Sequence, residues 1–179
     1  NGRMSELPSP QSELLEALYR GDRDAVEAKL AELPDLTLFE AAAVGATGRV
    51  RELLSLEPGS VGGWSPDGFT ALHLAAFFGN EAVAEELLQG GANVSAVARN
   101  PLRVQPLHSA AAGGHTAVAR HLLEHGADPN ARQEGGFVPL HAAAQAGNDE
   151  LYGLLVASGA DQDAATDDGR TVADFRADS

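Results

Sequence analysis

The chain has 179 residues, of which 44% are hydrophobic and 21% charged, a composition typical of a folded globular domain or a short repeat array. Its 26 acidic and 12 basic residues give a net charge of -14. This excess disfavours nucleic acids and anionic membranes as partners, because both are bound through Lys and Arg. The absence of cysteine excludes thiol catalysis, disulfide bonds and cysteine zinc sites.

At the amino terminus, Asn1-Gly2-Arg3 precedes Met4 and resembles an expression-tag remnant. We therefore expect residues 1-10 to be a tag remnant and a flexible tail, followed by one folded domain over residues 11-179. The sequence shows no apolar run long enough for a membrane span and no signal-peptide pattern, so we expect a cytoplasmic protein. Isoleucine is absent and Lys29 is the only lysine, a usage that favours a GC-rich bacterial genome.

The first predicted elements are two helix pairs, each with a glycine at the turn between its helices. In the first pair, Gly21 separates a helix over residues 12-20 from a helix over residues 22-33. In the second pair, Ala41-Ala42-Ala43-Val44 precedes Gly45, and Leu53-Leu54 lies in the helix that follows. Short helices with Ala and Leu faces cannot form a core alone, so we expect neighbouring pairs to stack.

The next segments repeat one pattern three times. Each copy has a histidine in its first helix, at His73, His108 and His141, and a glycine six residues later. A second apolar run then ends in Leu-Leu, and Gly-Ala-Asn or Gly-Ala-Asp follows it. A partial copy over residues 169-174 closes the chain. The order Ser65-Pro66-Asp67-Gly68 predicts a type I turn just before the first of the three copies.

This pattern resembles the ankyrin repeat, with its T-P-L-H-x-A signature and a period near 33 residues. The resemblance implies an all-α solenoid of about five helix pairs plus a terminal helix, with β-hairpin-like fingers between the pairs. The signature is incomplete in each copy, since Ala71 replaces proline, and Gln105 and Val138 replace threonine. In the family that threonine and the histidine tie adjacent repeats together, so we expect looser junctions at Gln105 and Val138.

The resemblance also implies a function in binding another protein, as an adaptor or an inhibitor, with no cofactor and no catalysis. Ankyrin proteins usually bind through a concave groove lined by the fingers and the exposed edge of the first helices. Carried onto this chain, the aromatic and finger positions are Trp64, Pro66, Asp67, Phe69, Phe77, Phe78 and Phe137. Arginines on the same row, Arg99, Arg103 and Arg132, favour a partner with an apolar segment beside carboxylates. The alternative for Phe77 and Phe78 is that they cover a neighbouring helix.

Two other functions stay open at this point. His121, Glu124 and His125 match the H-x-x-E-H pattern of inverted zinc peptidases, which would make the chain a zinc-dependent hydrolase. The opposing interpretation is that these residues belong to the second helix of a repeat, where histidine is common. Self-association through the aromatic residues would instead make it a structural protein, although we expect a monomer. The repeated histidines His73, His108 and His141 are interpreted as structural.

Overall fold

The computed structural model describes residues 10-32 and 35-177. Within these ranges the chain forms two short 3-10 helices (Pro58–Gly62 and Glu134–Gly136) and eleven α-helices: α1 Pro10–Arg20, α2 Arg23–Glu32, α3 Leu38–Val44, α4 Thr47–Leu56, α5 Ala71–Phe78, α6 Glu81–Gln89, α7 Pro106–Gly113, α8 Thr116–Glu124, α9 Pro139–Gln145, α10 Asp149–Ala157 and α11 Val172–Ala177. The predicted five helix pairs and terminal helix are thereby confirmed. The expected tag remnant and tail lie outside the described residues, except that Pro10 is the first residue of α1.

The helices stack in two rows. The inner helices are α1, α3, α5, α7, α9 and α11, and each packs against the next inner helix along the chain. The outer helices α2, α4, α6, α8 and α10 pack against their own inner helix, and α4, α6, α8 and α10 also pack against each other in order. This is the one-dimensional stacking of a solenoid, in which each repeat touches only its neighbours. None of the described helices has the length and apolar character needed to cross a bilayer.

The core lies between the two rows and is built from equivalent leucines and alanines. Leu72, Leu107 and Leu140 come from inner helices and are almost fully buried. Leu87, Leu122 and Leu155 fill the same layer from the outer helices. Buried alanine pairs of the inner helices permit close approach of neighbouring repeats: Ala75-Ala76, Ala110-Ala111 and Ala143-Ala144.

The ends of α5 show why these short helices begin and stop where they do. Thr70 precedes the helix, and its hydroxyl accepts from the His73 amide while the Thr70 amide donates to His73 Nδ1 at 3.2 Å. This reciprocal capping box satisfies two amides at the helix amino terminus. Gly79 ends the helix with φ of 77°, a left-handed conformation that favours glycine. A Cβ atom there would also lie 2.4 Å from His115 Nδ1.

Two of the three repeated histidines, His73 and His108, join neighbouring repeats by hydrogen bonds. Because Nδ1 of His73 accepts from a backbone amide, Nε2 carries the proton and donates to the Val104 carbonyl at 3.0 Å. In the next repeat, His108 Nε2 lies 2.9 Å from the Ala131 carbonyl, and Nδ1 accepts from the Gln105 amide. The Gln105 junction therefore keeps its histidine bridge without the threonine. Burial lowers the pKa of His73 to about 4 and also lowers the pKa of His108.

Four finger loops connect successive pairs, and each is closed by one backbone hydrogen bond. They are finger 1 (residues 65-69), finger 2 (98-104), finger 3 (133-137) and finger 4 (166-170). The Ala98 amide donates to the Val104 carbonyl across six positions, whereas the other three fingers close across four. Neighbouring fingers are also linked, because backbone amides of fingers 2, 3 and 4 donate to carbonyls of the preceding finger. The expected hairpin-like fingers are thus present as a continuous row.

Candidate partner-binding groove

The inner helices and the fingers line a groove that contains a cavity of about 410 Å³. Its floor comes from α5 and α7, at two sets of equivalent positions. Its walls come from α1 and from fingers 1, 2 and 3. The complete lining is Tyr19, Phe69, His73, Leu74, Phe77, Leu102, Val104, His108, Ser109, Ala112 and Gln133.

The cavity exists because two adjacent repeats differ in side-chain size. Helix α5 places Leu74 and Phe77 on the groove floor. The equivalent residues 35 positions later on α7 are Ser109 and Ala112, which are much smaller. The backbone of the inner row continues from α5 to α7, so the missing side-chain volume leaves a depression beside Phe77.

Three aromatic rings form one wall of this cavity and its support. The Tyr19 ring centroid lies 5.7 Å from that of Phe77 and 5.3 Å from that of Phe78. Phe77 is 36% exposed and lines the cavity, while Phe78 packs against the buried cluster of Leu15, Ala43 and Leu74. The structure therefore directs Phe77 to the groove and uses Phe78 to cover the neighbouring repeat. Burial, and secondarily the Asp67 carboxylate, raises the pKa of the Tyr19 phenol.

The aromatic rings of finger 1 and of the residue before it take different positions. Phe69 is partly buried and packs on the cluster that also holds Leu74, while still lining the cavity. Trp64 lies outside the cavity lining, with the guanidinium of Arg99 4.3 Å from its ring centroid. Pro66 and Asp67 are exposed on the finger itself.

The groove continues past the cavity toward the carboxyl-terminal repeats. A second depression of about 240 Å³ is lined by α7, finger 3 and α9, and Gln133 borders both depressions. Phe137 lines this second depression, with its ring centroid 5.7 Å from His141 and 5.6 Å from Phe175. Phe137 is therefore partly held by α11 and contributes one side of its ring to the groove.

The floor of the groove carries no charge at neutral pH. Helices α5, α7 and α9 contain no Asp, Glu, Lys or Arg, and burial lowers the pKa of their three histidines. The only such residue in α3 is Glu40, which is buried and caps its own helix through Thr37. The negative charge of the chain therefore lies on other segments, such as outer helix α6 with Glu81, Glu85 and Glu86.

Two of the three arginines predicted on the finger row contact other groups within the chain. Arg132 bonds the Asp167 carboxylate at 3.1 Å and the Ala165 carbonyl at 3.2 Å. Arg99 is engaged with Trp64, as described above. Arg103 is exposed and forms no ion pair with any described residue. Acidic residues, including Asp67 and Glu134, alternate with these arginines, so an acidic partner is not favoured by the finger row.

Comparison with known protein families decides the class of the chain. The family model described as "Ankyrin repeats (3 copies)" matches residues 95-166, and the model described as "Ankyrin repeat" matches residues 67-99. The chain belongs to the ankyrin-repeat family. No curated protein sequence matches it. Ankyrin repeats are generally protein–protein interaction modules rather than catalysts, and the groove just described lies on the matched repeats and α1.

The ankyrin fold also accounts for the residues of the zinc-peptidase alternative. His121 lies on outer helix α8 and directs Nε2 to a Glu81 oxygen at 2.8 Å and Nδ1 to a Glu85 oxygen at 3.2 Å. His125 Nδ1 instead faces the His121 carbonyl at 2.8 Å. The two imidazoles therefore do not converge with Glu124 on one point. Nowhere in residues 10-32 and 35-177 do three His, Asp or Glu side chains form a group that could hold a metal ion.

Several groove residues of this ankyrin array were missed by sequence reasoning. Leu102 is 55% exposed on finger 2 and faces the cavity. Its sequence signal is an apolar residue in a finger that is two residues longer than its neighbours. Ser109, Ala112 and Gln133 gave weaker signals, because small and polar residues are ordinary at repeat positions.

Proposed function

We propose that this ankyrin array binds a protein partner through the concave groove, as an adaptor or as an inhibitor of the partner. The observation that carries the proposal is the uncharged, largely apolar cavity beside Phe77, in a protein whose net charge is -14. Exposed apolar surface bordered by polar residues usually marks an interaction site. Of the residues implied by the family resemblance, Phe69 and Phe77 support the proposal most directly, since both line the cavity.

Other expected contact residues take supporting positions in this proposal. Phe137 extends the apolar surface into the second depression, and Asp67 is exposed on finger 1. Trp64 and Arg99 contribute a stacked pair behind the finger row, which can contact a partner that covers the fingers. Phe78 acts through Phe77, because their rings meet edge to face at 5.1 Å.

The proposed unit is a single domain over residues 11-179, which is longer than the span matched by the family models. Its support is that α1 to α4 stack on the matched repeats in the same two rows. We further propose that the protein acts as a monomer. Two copies that each carry a charge of -14 repel one another, which disfavours self-association through the groove.

Comparative affinity capture from an extract of the native host tests the proposed binding face. Ala112 is exposed and borders both depressions, so Ala112→Arg would place a long charged side chain in the groove. Ala117 is an equally exposed alanine on outer helix α8, which makes Ala117→Arg the matched control. We expect wild type and Ala117→Arg to retain the partner and Ala112→Arg to lose it. Retention by all three proteins, each with an unchanged circular-dichroism spectrum, would contradict the proposal.

A further inference from the structure

Three equivalent positions of the inner helices follow the groove and change in chemistry from one repeat to the next. They are Phe77 on α5, Ala112 on α7 and Gln145 on α9, each four residues after the repeated histidine. Phe77 lines the cavity, Gln145 lines the second depression, and Ala112 borders both. The groove therefore offers an aromatic wall and a side-chain amide on either side of one small side chain.

The linings of the cavity and of the second depression contain no Asp, Glu, Lys or Arg, and burial lowers the pKa of the two histidines among them. On fingers 1 to 3 the charges balance, with Asp67 and Glu134 against Arg99 and Arg103. A charged group that entered either depression would lose its hydration without gaining an ion pair, which is costly. Electrostatic matching accordingly favours an uncharged occupant.

Two polar groups beside the apolar wall have unused hydrogen-bonding capacity. The Ser109 hydroxyl borders the cavity and the Gln133 side-chain amide borders both depressions, and neither forms a hydrogen bond with another described residue. An amide can donate and accept at the same time, as the peptide groups of a main chain do. A helical ligand would use its backbone groups internally. These two residues therefore favour a ligand in an extended conformation.

The spacing of the two depressions sets the register of such a ligand. The cavity floor comes from α5 and α7, and the second depression lies between α7 and α9, one repeat further along. Neighbouring packed helices are roughly 8–10 Å apart, and an extended chain advances roughly 3.3 Å per residue. About three residues of an extended segment therefore span the distance from one depression to the other.

From these features we infer that the groove recognises an extended, uncharged segment of its partner, with a bulky apolar residue in the cavity and a hydroxyl or amide residue three positions away in the second depression. The apolar residue packs against Phe77 and Leu102, and the polar residue bonds the Gln145 amide. Ser109 and Gln133 bond the main chain between them. This inference rests on the proposed function and specifies the chemistry of the partner. It differs from the sequence-based expectation of carboxylates beside the apolar segment.

Selection from a display library of random dodecapeptides tests the inference without the natural partner. Peptides are selected on wild type and depleted on Ala112→Arg. We expect the survivors to share a bulky apolar residue, with Ser, Thr, Asn or Gln three positions away and no charged residue between them. In fluorescence anisotropy with synthetic survivors, Ala112→Arg should raise the Kd by about tenfold or more, and Ala117→Arg should leave it within about twofold. Because no ion pair forms, the wild-type Kd should change by less than about twofold between low and high salt.

A second selection on Gln145→Leu separates the predicted register from general apolar binding. Gln145 is exposed and its side chain forms no hydrogen bond with a described residue, so the fold should tolerate the change. We expect the survivors to keep the bulky apolar residue and to carry an apolar residue in place of the polar one three positions away. Gln89 is the exposed last residue of outer helix α6, and Gln89→Leu as the matched control should leave the selected pattern unchanged.

Three results, obtained with variants whose circular-dichroism spectra match wild type, would each overturn the inference. They are survivors with charged residues at the two anchor positions, an unchanged pattern on Gln145→Leu, and a selection that yields no groove-dependent peptide. If the natural partner is still lost by Ala112→Arg, the proposed function stands although the inference fails. If that variant keeps the natural partner, the proposed function itself fails.

Discussion

Helices α5 and α6 come from the same repeat and both contribute buried residues to the core, yet their solvent-facing sides have opposite character. Inner helix α5 has no Asp, Glu, Lys or Arg and leaves Phe77 at the surface. Outer helix α6, joined to it by one glycine turn, carries Glu81, Glu85 and Glu86. The buried leucines thus stabilise the stack from both rows. In this helix pair the surface charges lie on the outer helix, away from the apolar groove.

The largest effect on stability should come from truncating a leucine in the core between the two rows of helices. Leu107→Ala on α7 should lower the free energy of unfolding by about 2–5 kcal/mol, because it leaves a cavity among fully buried neighbours. His121→Ala on α8 is the comparison, and its partly exposed contacts with Glu81 and Glu85 should contribute about 1 kcal/mol or less. Urea denaturation followed by circular dichroism measures both values. A larger loss at His121 than at Leu107 would contradict the assignment of the two faces.

Acid should lower the free energy of unfolding through the buried histidines of the inner helices. The pKa of His73 is lowered from 6.5 to about 4, so the unfolded chain binds more protons than the folded one between these values. The free energy of unfolding should therefore fall as the pH drops below 6.5, by about 3 kcal/mol from His73 alone once the pH nears 4. His108 and His141, whose pKa values are also lowered, act in the same direction. Urea midpoints at several pH values test this, and a midpoint that rises from pH 7 to pH 5 would disagree with it.

A smaller effect is expected in finger 2, which differs from its neighbours in one backbone conformation. Arg103 has φ of 50°, at the place where fingers 1, 3 and 4 have Gly68, Gly136 and Gly169 with φ of 78–85°. A left-handed conformation costs a residue with a side chain roughly 1–2 kcal/mol of strain, which glycine avoids. Glycine also gives the unfolded chain more conformational freedom, and this offsets part of the gain in stability. Arg103→Gly should therefore raise the free energy of unfolding by up to about 1 kcal/mol. Gly68→Ala should lower it, since its Cβ would also lie 2.5 Å from the Arg99 carbonyl oxygen. Thermal unfolding of the two variants would show whether both shifts have the expected sign.

The solenoid was readable from the sequence because its signals are local and repeated. The number of pairs and their order could be predicted from the glycine that follows α1, α3, α5, α7 and α9 and from the Leu-Leu of α4, α6, α8 and α10. The Thr37-x-x-Glu40 capping box, in which Glu40 takes the place of the repeated histidine, is equally visible in the sequence but was not predicted.

The groove was only partly predictable, because its shape depends on contacts between residues far apart in sequence. Phe77 and Phe78 are adjacent and aromatic, but only packing against Tyr19 and α3 separates their roles. Arg132 pairs with Asp167, 35 positions away in sequence, so an arginine predicted to bind a partner forms an ion pair within the chain. The cavity itself arises because the side chains of Ser109 and Ala112 are smaller than those of Leu74 and Phe77. Such a difference between repeats becomes meaningful only once the repeats are stacked.

The central claim is that partners bind the inner face and not the outer one, and two apolar residues allow the most direct test. Phe77 lines the cavity, whereas Leu56 at the end of outer helix α4 is 74% exposed and lies outside the groove lining. Isothermal titration of the captured partner should show a Kd about tenfold higher or more for Phe77→Ala, and within about twofold of wild type for Leu56→Ala. If Leu56→Ala weakens binding and Phe77→Ala, still folded, does not, the partner binds the outer face and the account is contradicted.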